Sequence, residues 1–228
     1  TIANIESSAP TINGKFGTSM AGIADVNGDG FPDLAVGHPG YNSNRGRVEL
    51  YSGLTGTFLS QTSTNIFGDQ FGTTLVNLGD LNSNGSDEIL IGAPFNDQNG
   101  TSAGAAYVYD TSNGQQIRAL YGTAAGDEFG RALCAVPDVT GDGRNEVAVA
   151  SPFFDGVAGA DCGRVIVYSG SNYATLMSAE GGQAGEQMGT SIDAWGDIDG
   201  DGQADVIAGS PNWDLVLILN DNVGAAHV

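Results

Sequence analysis

Acidic and amide side chains alternate in four short stretches of the chain, and their spacing suits the binding of a hard cation. In the first stretch, positions 1, 3, 5 and 9 are Asp25, Asn27, Asp29 and Asp33. Ca²⁺ takes its ligands from carboxylates, amides and backbone carbonyls. The alternating oxygens, a glycine for the sharp turn (Gly30) and a final carboxylate meet that need. The carbonyl of Phe31, at position 7, is the expected backbone ligand.

Three further stretches repeat the arrangement with different numbers of carboxylates. Their side-chain ligands and position-7 residues are Asp80, Asn82, Asn84, Glu88 and Ser86 in the second, Asp138, Thr140, Asp142, Glu146 and Arg144 in the third, and Asp197, Asp199, Asp201, Asp205 and Gln203 in the fourth. We expect up to four Ca²⁺ ions, one per loop. Because affinity rises with ligand charge, the expected order is fourth, first, third, second.

The alternative is that Asp, Asn and Gly are simply turn formers in these stretches. That explains one loop but not the return of acids to positions 1 and 9 in all four. An EF-hand is also disfavoured, because its loop continues to a glutamate at position 12 and lies between helices. Here a β-branched run follows position 9 directly, which places the loop in a strand hairpin.

The elements around these loops repeat as well. The first aspartates, Asp25, Asp80, Asp138 and Asp197, follow one another at intervals of 55, 58 and 59 residues. Nine residues upstream stand Phe16-Gly17, Phe71-Gly72, Phe129-Gly130 and Met188-Gly189. Fourteen residues downstream stand Pro39, Pro94, Pro152 and Pro211. Such periodicity indicates a repeat architecture.

Each repeat contains about four short strand-like runs and no sustained helical period. We therefore predict an all-β fold, a β-propeller of four blades with four antiparallel strands each. Residues 1–228 form one domain, with repeats that start near 16, 71, 129 and 188. Residues 1–12 read as a closing strand that pairs with the last blade, because the chain ends soon after a third strand, "DLVLIL".

The repeats resemble the FG-GAP repeat, the blade of integrin alpha-chain propellers and of many bacterial extracellular proteins. The Phe-Gly pairs match the "FG", Gly92-Ala93-Pro94 is a literal "GAP", and the first and fourth loops match the calcium hairpin of the family in full. The second and third loops depart from it by ending in glutamate. The resemblance implies cations on one face of a propeller and partner binding on the other.

The usual ring of this family has seven blades, whereas this chain has four repeats. Three closures stay open: a four-bladed ring, a homodimer that completes an eight-bladed ring, and a fragment of a longer propeller. The chain begins at Thr1 rather than Met, as expected where a leader has been removed or where the sequence is a piece of something longer.

An aromatic residue follows the motif proline in every repeat, on the face opposite the cation loops. These candidate ligand-binding residues are Tyr41, Phe95, Phe153, Phe154 and Trp213. They could stack on sugars or hold a protein partner. The simpler interpretation, which we favour slightly, is that they cover the gaps between blades.

No catalytic residues are assigned. His38 and His227 have no nucleophile or acid at a fixed spacing, no hydrolase or phosphate-loop motif is present, and the regular acid pairs belong to the cation loops. Cys134 and Cys162 fall on first and third strands of one blade, about 9–10 Å apart, which favours free thiols over a disulfide.

Charge limits the partners. The net charge of -20 excludes nucleic acid, because few bases are available to neutralise phosphates. No apolar run approaches the ~18 residues of a membrane span. We expect a secreted or cell-surface, non-catalytic interaction or adhesion module with a protein or glycan ligand. A lectin, and a scaffold domain of a larger secreted enzyme, are the alternatives.

Overall fold

The structure is a computed structural model that describes residues 4–198 and 200–212, together with the backbone of 215–219. The described chain forms four antiparallel sheets, each with its strands in sequence order. We call them blades one to four. Their strands are β1 (Met20–Ile23), β2 (Asp33–Gly37), β3 (Val48–Tyr51) and β4 (Phe58–Thr62); β5 (Thr74–Gly79), β6 (Glu88–Ala93), β7 (Ala105–Asp110) and β8 (Gln116–Tyr121); β9 (Ala132–Val136), β10 (Glu146–Ser151), β11 (Arg164–Tyr168) and β12 (Thr175–Glu180); and β13 (Ser191–Trp195), β14 (Asp205–Ser210) and β15 (Leu215–Leu219). A four-residue turn with positive φ, α1 (Tyr41–Asn44), lies between β2 and β3.

The middle strands of the blades are buried on both faces, which explains their composition. Every residue of β3, β6, β7 and β10 is buried, and these strands are nearly continuous apolar runs. Strands packed on both sides lose the polar-apolar alternation of a half-exposed strand. The outer strands β4, β8 and β12 keep exposed positions. Burial therefore decreases from the middle strands to the outer strand of each blade, as expected for blades that stack face to face.

Successive blades are joined by three apolar cores, one at each junction. The aromatic residue of the Phe-Gly pair lies at the junction: Phe71 of blade two forms a parallel bridge with Gly46 of blade one. Gly46 has a φ of +78°, and a Cβ there would lie 2.1 Å from the carbonyl oxygen of Phe71. Close approach of the two backbones therefore requires glycine.

The Phe-Gly and Gly-x-Pro signatures contact each other within every blade. The amide of Gly17 donates to the carbonyl of Gly37 over 2.9 Å, and Gly72, Gly130 and Gly189 make the same bond at 3.0 Å. Their constant spacing in the sequence thus reflects a hydrogen bond between the start of the first strand and the end of the second.

The innermost strands lie around a common cavity of 360 Å³, lined by residues of all four blades, among them Thr18, Thr73, Arg131 and Thr190. Two hydroxyls link adjacent blades here: Ser19 Oγ donates to the Gly72 carbonyl over 2.7 Å and Thr74 Oγ1 to the Gly130 carbonyl over 2.9 Å. The predicted four-blade propeller is confirmed by this arrangement.

The amino-terminal segment differs from the sequence expectation for residues 1–12. Residues 4–12 form no strand, and the described part of blade four has three strands. The segment instead contacts blade one, where the Ser7 hydroxyl and the Ser8 amide each donate to the Glu49 carboxylate over 2.8 Å. A buried carboxylate needs such donors. Residues 1–3 lie outside the described part.

Cys134 and Cys162 are both free and buried, as the strand geometry predicted. Among the residues that the structure describes, no helix is long and apolar enough to cross a membrane.

Candidate cation-binding hairpins

The four predicted cation loops all connect the first and second strands of a blade. Because β1, β5, β9 and β13 run in the same sense through equivalent blades, the four loops emerge at one end of the propeller. The Gly-x-Pro segments and the loops that follow them lie at the other end. Sequence reasoning placed these two ends correctly.

The first hairpin is organised around the carboxylate of Asp25. Its Oδ1 accepts the amides of Asn27, Gly28 and Asp29 at 3.2, 2.7 and 3.2 Å, and its Oδ2 accepts the amide of Gly30 at 2.6 Å. The Gly30 hydrogen bond is the main reason that the pKa of Asp25 lies below its ordinary value. The loop therefore holds this carboxylate in its ionised form.

Asp25, Asp29 and Asp33 each offer a carboxylate oxygen, and the three oxygens lie within 4.8 Å of one another. Ca²⁺–oxygen distances are about 2.3–2.6 Å, so ligands on opposite sides of one ion are about 5 Å apart. Asp33 is also 1% exposed, and a buried carboxylate beside two others is costly without a cation. The donor set of this hairpin fits Ca²⁺.

The third hairpin repeats the backbone arrangement of the first. Asp138 accepts the amides of Gly141 at 2.7 Å and Gly143 at 2.6 Å, and the Gly143 bond is the main cause of its lowered pKa. Glu146 replaces the final aspartate, with its two oxygens accepting the amides of Thr140 at 3.2 Å and Gly170 at 2.6 Å.

The second hairpin differs in its side chains. Asp80 again accepts two loop amides, from Asn84 at 3.1 Å and Gly85 at 2.8 Å. Glu88 is fully buried and accepts the Leu81 amide at 2.6 Å and the side-chain amide of Asn82 at 2.5 Å. Burial raises the pKa of Glu88 to about 7 despite the hydrogen bonds from the loop amides.

The fourth hairpin is described except for Asp199. Asp197 accepts the amides of Gly200 at 2.5 Å and Gly202 at 2.7 Å, and Asp205 accepts the Ile198 amide at 2.6 Å. The first acid of every copy thus accepts the amide at position 6, and the last acid of the first, second and fourth copies accepts the amide at position 2. At position 7, the amides of Phe31, Ser86, Arg144 and Gln203 each donate to the position-5 side chain over 2.8–3.0 Å. Their role as carbonyl ligands stays a prediction.

Sequence reasoning missed residues that the chain at the end of the third strand brings to the first three hairpins. The Ser52 hydroxyl donates to Asp29 over 3.0 Å and the Gly53 amide to Asp33 over 3.0 Å. In blade two the corresponding residue is Asp110, which accepts the side-chain amide of Asn84 at 2.8 Å. These contacts could have been suspected from the polar residue that directly follows the repeated tyrosine of the third strand.

The candidate aromatic residues at the opposite end are not gathered into one site in the described chain. Tyr41, Phe95, Phe153 and Phe154 are each half-buried, and two of them are covered by arginine. The Arg47 guanidinium lies 3.9 Å from the centre of the Tyr41 ring, and that of Arg164 lies 3.8 Å from the Phe154 ring. Trp213 lies outside the described residues.

His38 is not the bystander that the sequence suggested. It is fully buried, and its Nδ1 lies 3.1 Å from Glu49 Oε1 while its Nε2 lies 3.2 Å from Thr11 Oγ1. Arg47 Nη2 lies 2.6 Å from the same Glu49 oxygen. Burial alone would raise the pKa of Glu49, but hydrogen bonds led by that of Tyr51 lower it to about 2. His227 lies outside the described residues.

The Thr11 hydroxyl, the His38 imidazole and the Glu49 carboxylate form a line, and Thr11 and His38 also border a cavity of 300 Å³. A Cβ on Gly14 would lie 2.1 Å from His38 Nε2 and 2.4 Å from Thr11 Oγ1, so only glycine fits beside these two side chains. The cluster attaches the amino-terminal segment to blade one.

Sequence comparison agrees with this architecture. The profile of the FG-GAP-like repeat matches residues 25–91, and that of the FG-GAP repeat matches residues 129–168 and 189–228. Together the matches span more than half of the chain. The protein is an integrin-like β-propeller, and it belongs to the FG-GAP repeat family.

Integrin alpha chains are among its relatives. Integrin alpha-5 of Xenopus laevis is 29% identical over 219 residues, which is 89% of this chain and 20% of the integrin. Integrin alpha-8 of Mus musculus is 30% identical over 68% of this chain and 15% of its own length. This chain thus spans a fifth or less of these relatives.

Among solved structures, the Dos1 propeller aligns with a TM-score of 0.53 and 15% identity, over 86% of this chain and 44% of that chain. At this identity the likeness concerns the fold alone.

Proposed function

We propose that the protein is a calcium-stabilised extracellular β-propeller that acts as an interaction or adhesion module without catalysis of its own. The observation that carries the proposal is the first hairpin, where Asp25, Asp29 and Asp33 direct three carboxylate oxygens to within 4.8 Å of one another. The relationship to integrin alpha chains supports the adhesive role, and it covers a small part of those proteins.

In the first hairpin, Asp25, Asp29 and Asp33, with the amide oxygen of Asn27 and the carbonyl of Phe31, would hold the ion. The third and fourth hairpins would use Asp138, Asp142 and Glu146, and Asp197, Asp199, Asp201 and Asp205. The ion supplies positive charge that offsets the repulsion between these carboxylates and fixes the hairpin at the end of each blade. Extracellular calcium is abundant enough to fill weak sites of this kind.

The partner surface is proposed at the end opposite the hairpins. The loops there present exposed apolar side chains, with Phe67 at 69% and Val157 at 101% exposure. Exposed apolar groups mark interaction surfaces, and those at the cation end, such as Trp195 at 72% and Leu54 at 53% exposure, provide the comparison. A protein ligand is favoured over a glycan, because arginine covers two of the aromatic rings that a sugar would stack on.

The absence of catalysis is supported by the roles of the titratable groups. The acids of the hairpins are engaged by loop amides, and His38 and Glu49 are engaged in the contacts that attach the amino-terminal segment to blade one.

The experiment is a binding assay against purified extracellular matrix proteins and a glycan array, with and without calcium. We expect calcium-dependent binding to a protein, weakened at least tenfold by Phe67→Ser or Val157→Ser. Leu54→Ser is the matched control, because Leu54 is a 53% exposed apolar residue at the cation end. Binding to glycans alone, or equal losses from all three variants, would contradict the proposal.

A further inference from the structure

We propose that side-chain amides close the second hairpin in place of a cation, so that residues 80–88 form no calcium site. The inference rests on the proposed calcium-binding function, and it identifies the hairpin in which that function has been replaced. The structure supports it at position 3, at position 5 and in the separation of the acids.

At position 3, the Asn82 side chain donates a hydrogen bond directly to the final acid. Its Nδ2 donates to Glu88 Oε1 over 2.5 Å, while Glu88 Oε2 accepts the amides of Leu81 and Asn82 at 2.6 and 3.2 Å. The loop itself thus supplies donors to both oxygens of this buried carboxylate. In the first hairpin the corresponding contact, from Asn27 Nδ2 to Asp33 Oδ1, is 3.5 Å long, at the outer limit of a hydrogen bond.

At position 5, the second hairpin exchanges the acid of the first with the residue that faces it. The first pairs Asp29 with Ser52, and the second pairs Asn84 with Asp110. The Ser86 amide donates to Asn84 Oδ1 over 2.8 Å, which orients the amide so that its N–H groups face Asp110. Position 5 therefore presents a hydrogen-bond donor toward the acid, whereas a cation requires an oxygen.

The displaced acid, Asp110, is satisfied without a metal. It is 5% exposed, and besides Asn84 it accepts the amide and hydroxyl of Ser112 at 2.8 and 2.6 Å and the side-chain amide of Asn113 at 2.9 Å. Four donors on one carboxylate are ample compensation for a buried charge. The acid that the first hairpin carries at position 5 thus lies outside the second hairpin, at Asp110.

The acids of the second hairpin are also not gathered. In the part of the chain that the structure describes, the one group of three acids with oxygens within 4.8 Å is that of the first hairpin. The third hairpin shares this feature with the second, but its position 5 is a carboxylate, Asp142, and its position 3 is a hydroxyl, Thr140. The amide closure therefore distinguishes the second hairpin.

The test exchanges the two residues that differ. Asn84→Asp with Asp110→Ser gives the second hairpin the pairing of the first, and we expect one additional Ca²⁺ per chain. The reverse exchange, Asp29→Asn with Ser52→Asp, is the matched control and should lose one Ca²⁺. Bound calcium is counted by equilibrium dialysis against calcium chloride, with circular dichroism to confirm that each variant is folded. A folded exchange variant that binds no more calcium than the wild type overturns the inference.

A measurement on the unaltered chain does not depend on the folding of any variant. In a calcium titration followed by amide NMR, the Gly28 and Gly30 resonances should shift, while the Gly85 resonance should stay within a tenth of the Gly30 shift. Equal shifts at Gly30 and Gly85 would overturn the inference and leave the proposed function intact. No shift at Gly28 or Gly30 would instead contradict the proposed function.

Discussion

The hairpins of blades one and two share a backbone hydrogen bond to the first acid, and they differ in the groups that surround the other acids. Asp25 and Asp80 accept the amides of Gly30 and Gly85 at 2.6 and 2.8 Å. Beyond that shared bond, blade one directs three carboxylates toward one point, whereas in blade two Asn82 donates to the final acid, Glu88. We propose that the first arrangement binds an ion from solution and that the second binds none.

The two blades also differ at an equivalent position of the third strand, three residues after the glycine of each junction. Blade one has Glu49, paired with Arg47 and His38 and bonded to the amino-terminal segment. Blade two has Tyr107, packed 5.7 Å from the Phe71 ring. The same position of the third strand thus holds a buried ion pair in blade one and an uncharged aromatic residue in blade two. The stability of blade one should depend on calcium, and that of blade two should not.

Chelation should have the largest effect. A ligand that binds only the folded state stabilises it by about 2.7 kcal/mol when its free concentration is 100 times Kd, and each kcal/mol changes Tm by about 2–4 °C in a domain of this size. Excess chelator should therefore lower Tm by several degrees for each ion lost, as differential scanning calorimetry can measure. Hydrogen exchange should accelerate at Gly28 and Gly30 and much less at Gly85. A Tm that is unaffected by chelator would contradict the proposal that the first hairpin binds calcium and the second does not.

Replacing the buried acid of blade one should have the next largest effect. Glu49→Gln leaves Arg47, which is 3% exposed, without its counter-charge, and breaking a buried ion pair costs about 3–5 kcal/mol. Denaturant unfolding at pH 7 measures the loss. Glu6→Gln, which removes the same charge from an exposed glutamate nearby, is the control and should stay within about 0.5 kcal/mol of wild type.

The cost of Glu49→Gln should also depend on pH. The folded pKa of Glu49 is about 2, below its ordinary 4.5, so its ionised form stabilises the fold. That contribution is complete above pH 4.5 and is lost as the pH falls through about 2. The stability difference between wild type and Glu49→Gln should be constant from pH 7 to 5 and should narrow below 4.5. A difference that widens toward acid pH would refute the ionic role.

Single substitutions in the hairpins should have smaller and unequal effects. Asp25→Ala removes a predicted ligand, so the variant should bind one Ca²⁺ fewer and its Tm should respond less to chelator. Asp80→Ala removes two hydrogen bonds from a hairpin without an ion, so its calcium count and chelator response should match wild type. Calorimetric titration gives both numbers. A lost ion in Asp80→Ala would make the two hairpins equivalent after all.

The repeat, the strands and the two ends of the propeller could be predicted because local signals coincide with the fold. The Phe-Gly and Gly-x-Pro pairs recur because one backbone bond joins them, as in Gly17 to Gly37. The acids at positions 1 and 9 were likewise visible, since they lie within one hairpin.

Contacts between distant segments were not visible in this way. Asp110 and Asn84 are 26 residues apart in the sequence, and Ser7 and Glu49 are 42 residues apart. No motif spacing therefore predicts either hydrogen bond. The second loop was therefore ranked as a weak calcium site from its own residues, without the acid that faces it. The contact of the amino-terminal segment with blade one was not predicted, because the sequence does not show that Glu49 is buried.

The smallest effect is expected for Tyr107→Phe, the counterpart in blade two of the Glu49 substitution. Tyr107 is 2% exposed, and its hydroxyl accepts the Asn96 side-chain amide at 3.2 Å, while that amide also donates to Asp69 over 2.8 Å. Phenylalanine keeps the ring packing and removes the neutral hydrogen bonds of the hydroxyl with Asn96 and Tyr121, each of which costs about 0.5–1.5 kcal/mol. Denaturant unfolding should show this loss unchanged from pH 7 to pH 3 and with or without calcium, because no charge is created or left unpaired. A loss as large as that of Glu49→Gln, or one that varies with pH, would mean that blade two also depends on ionised groups at this position.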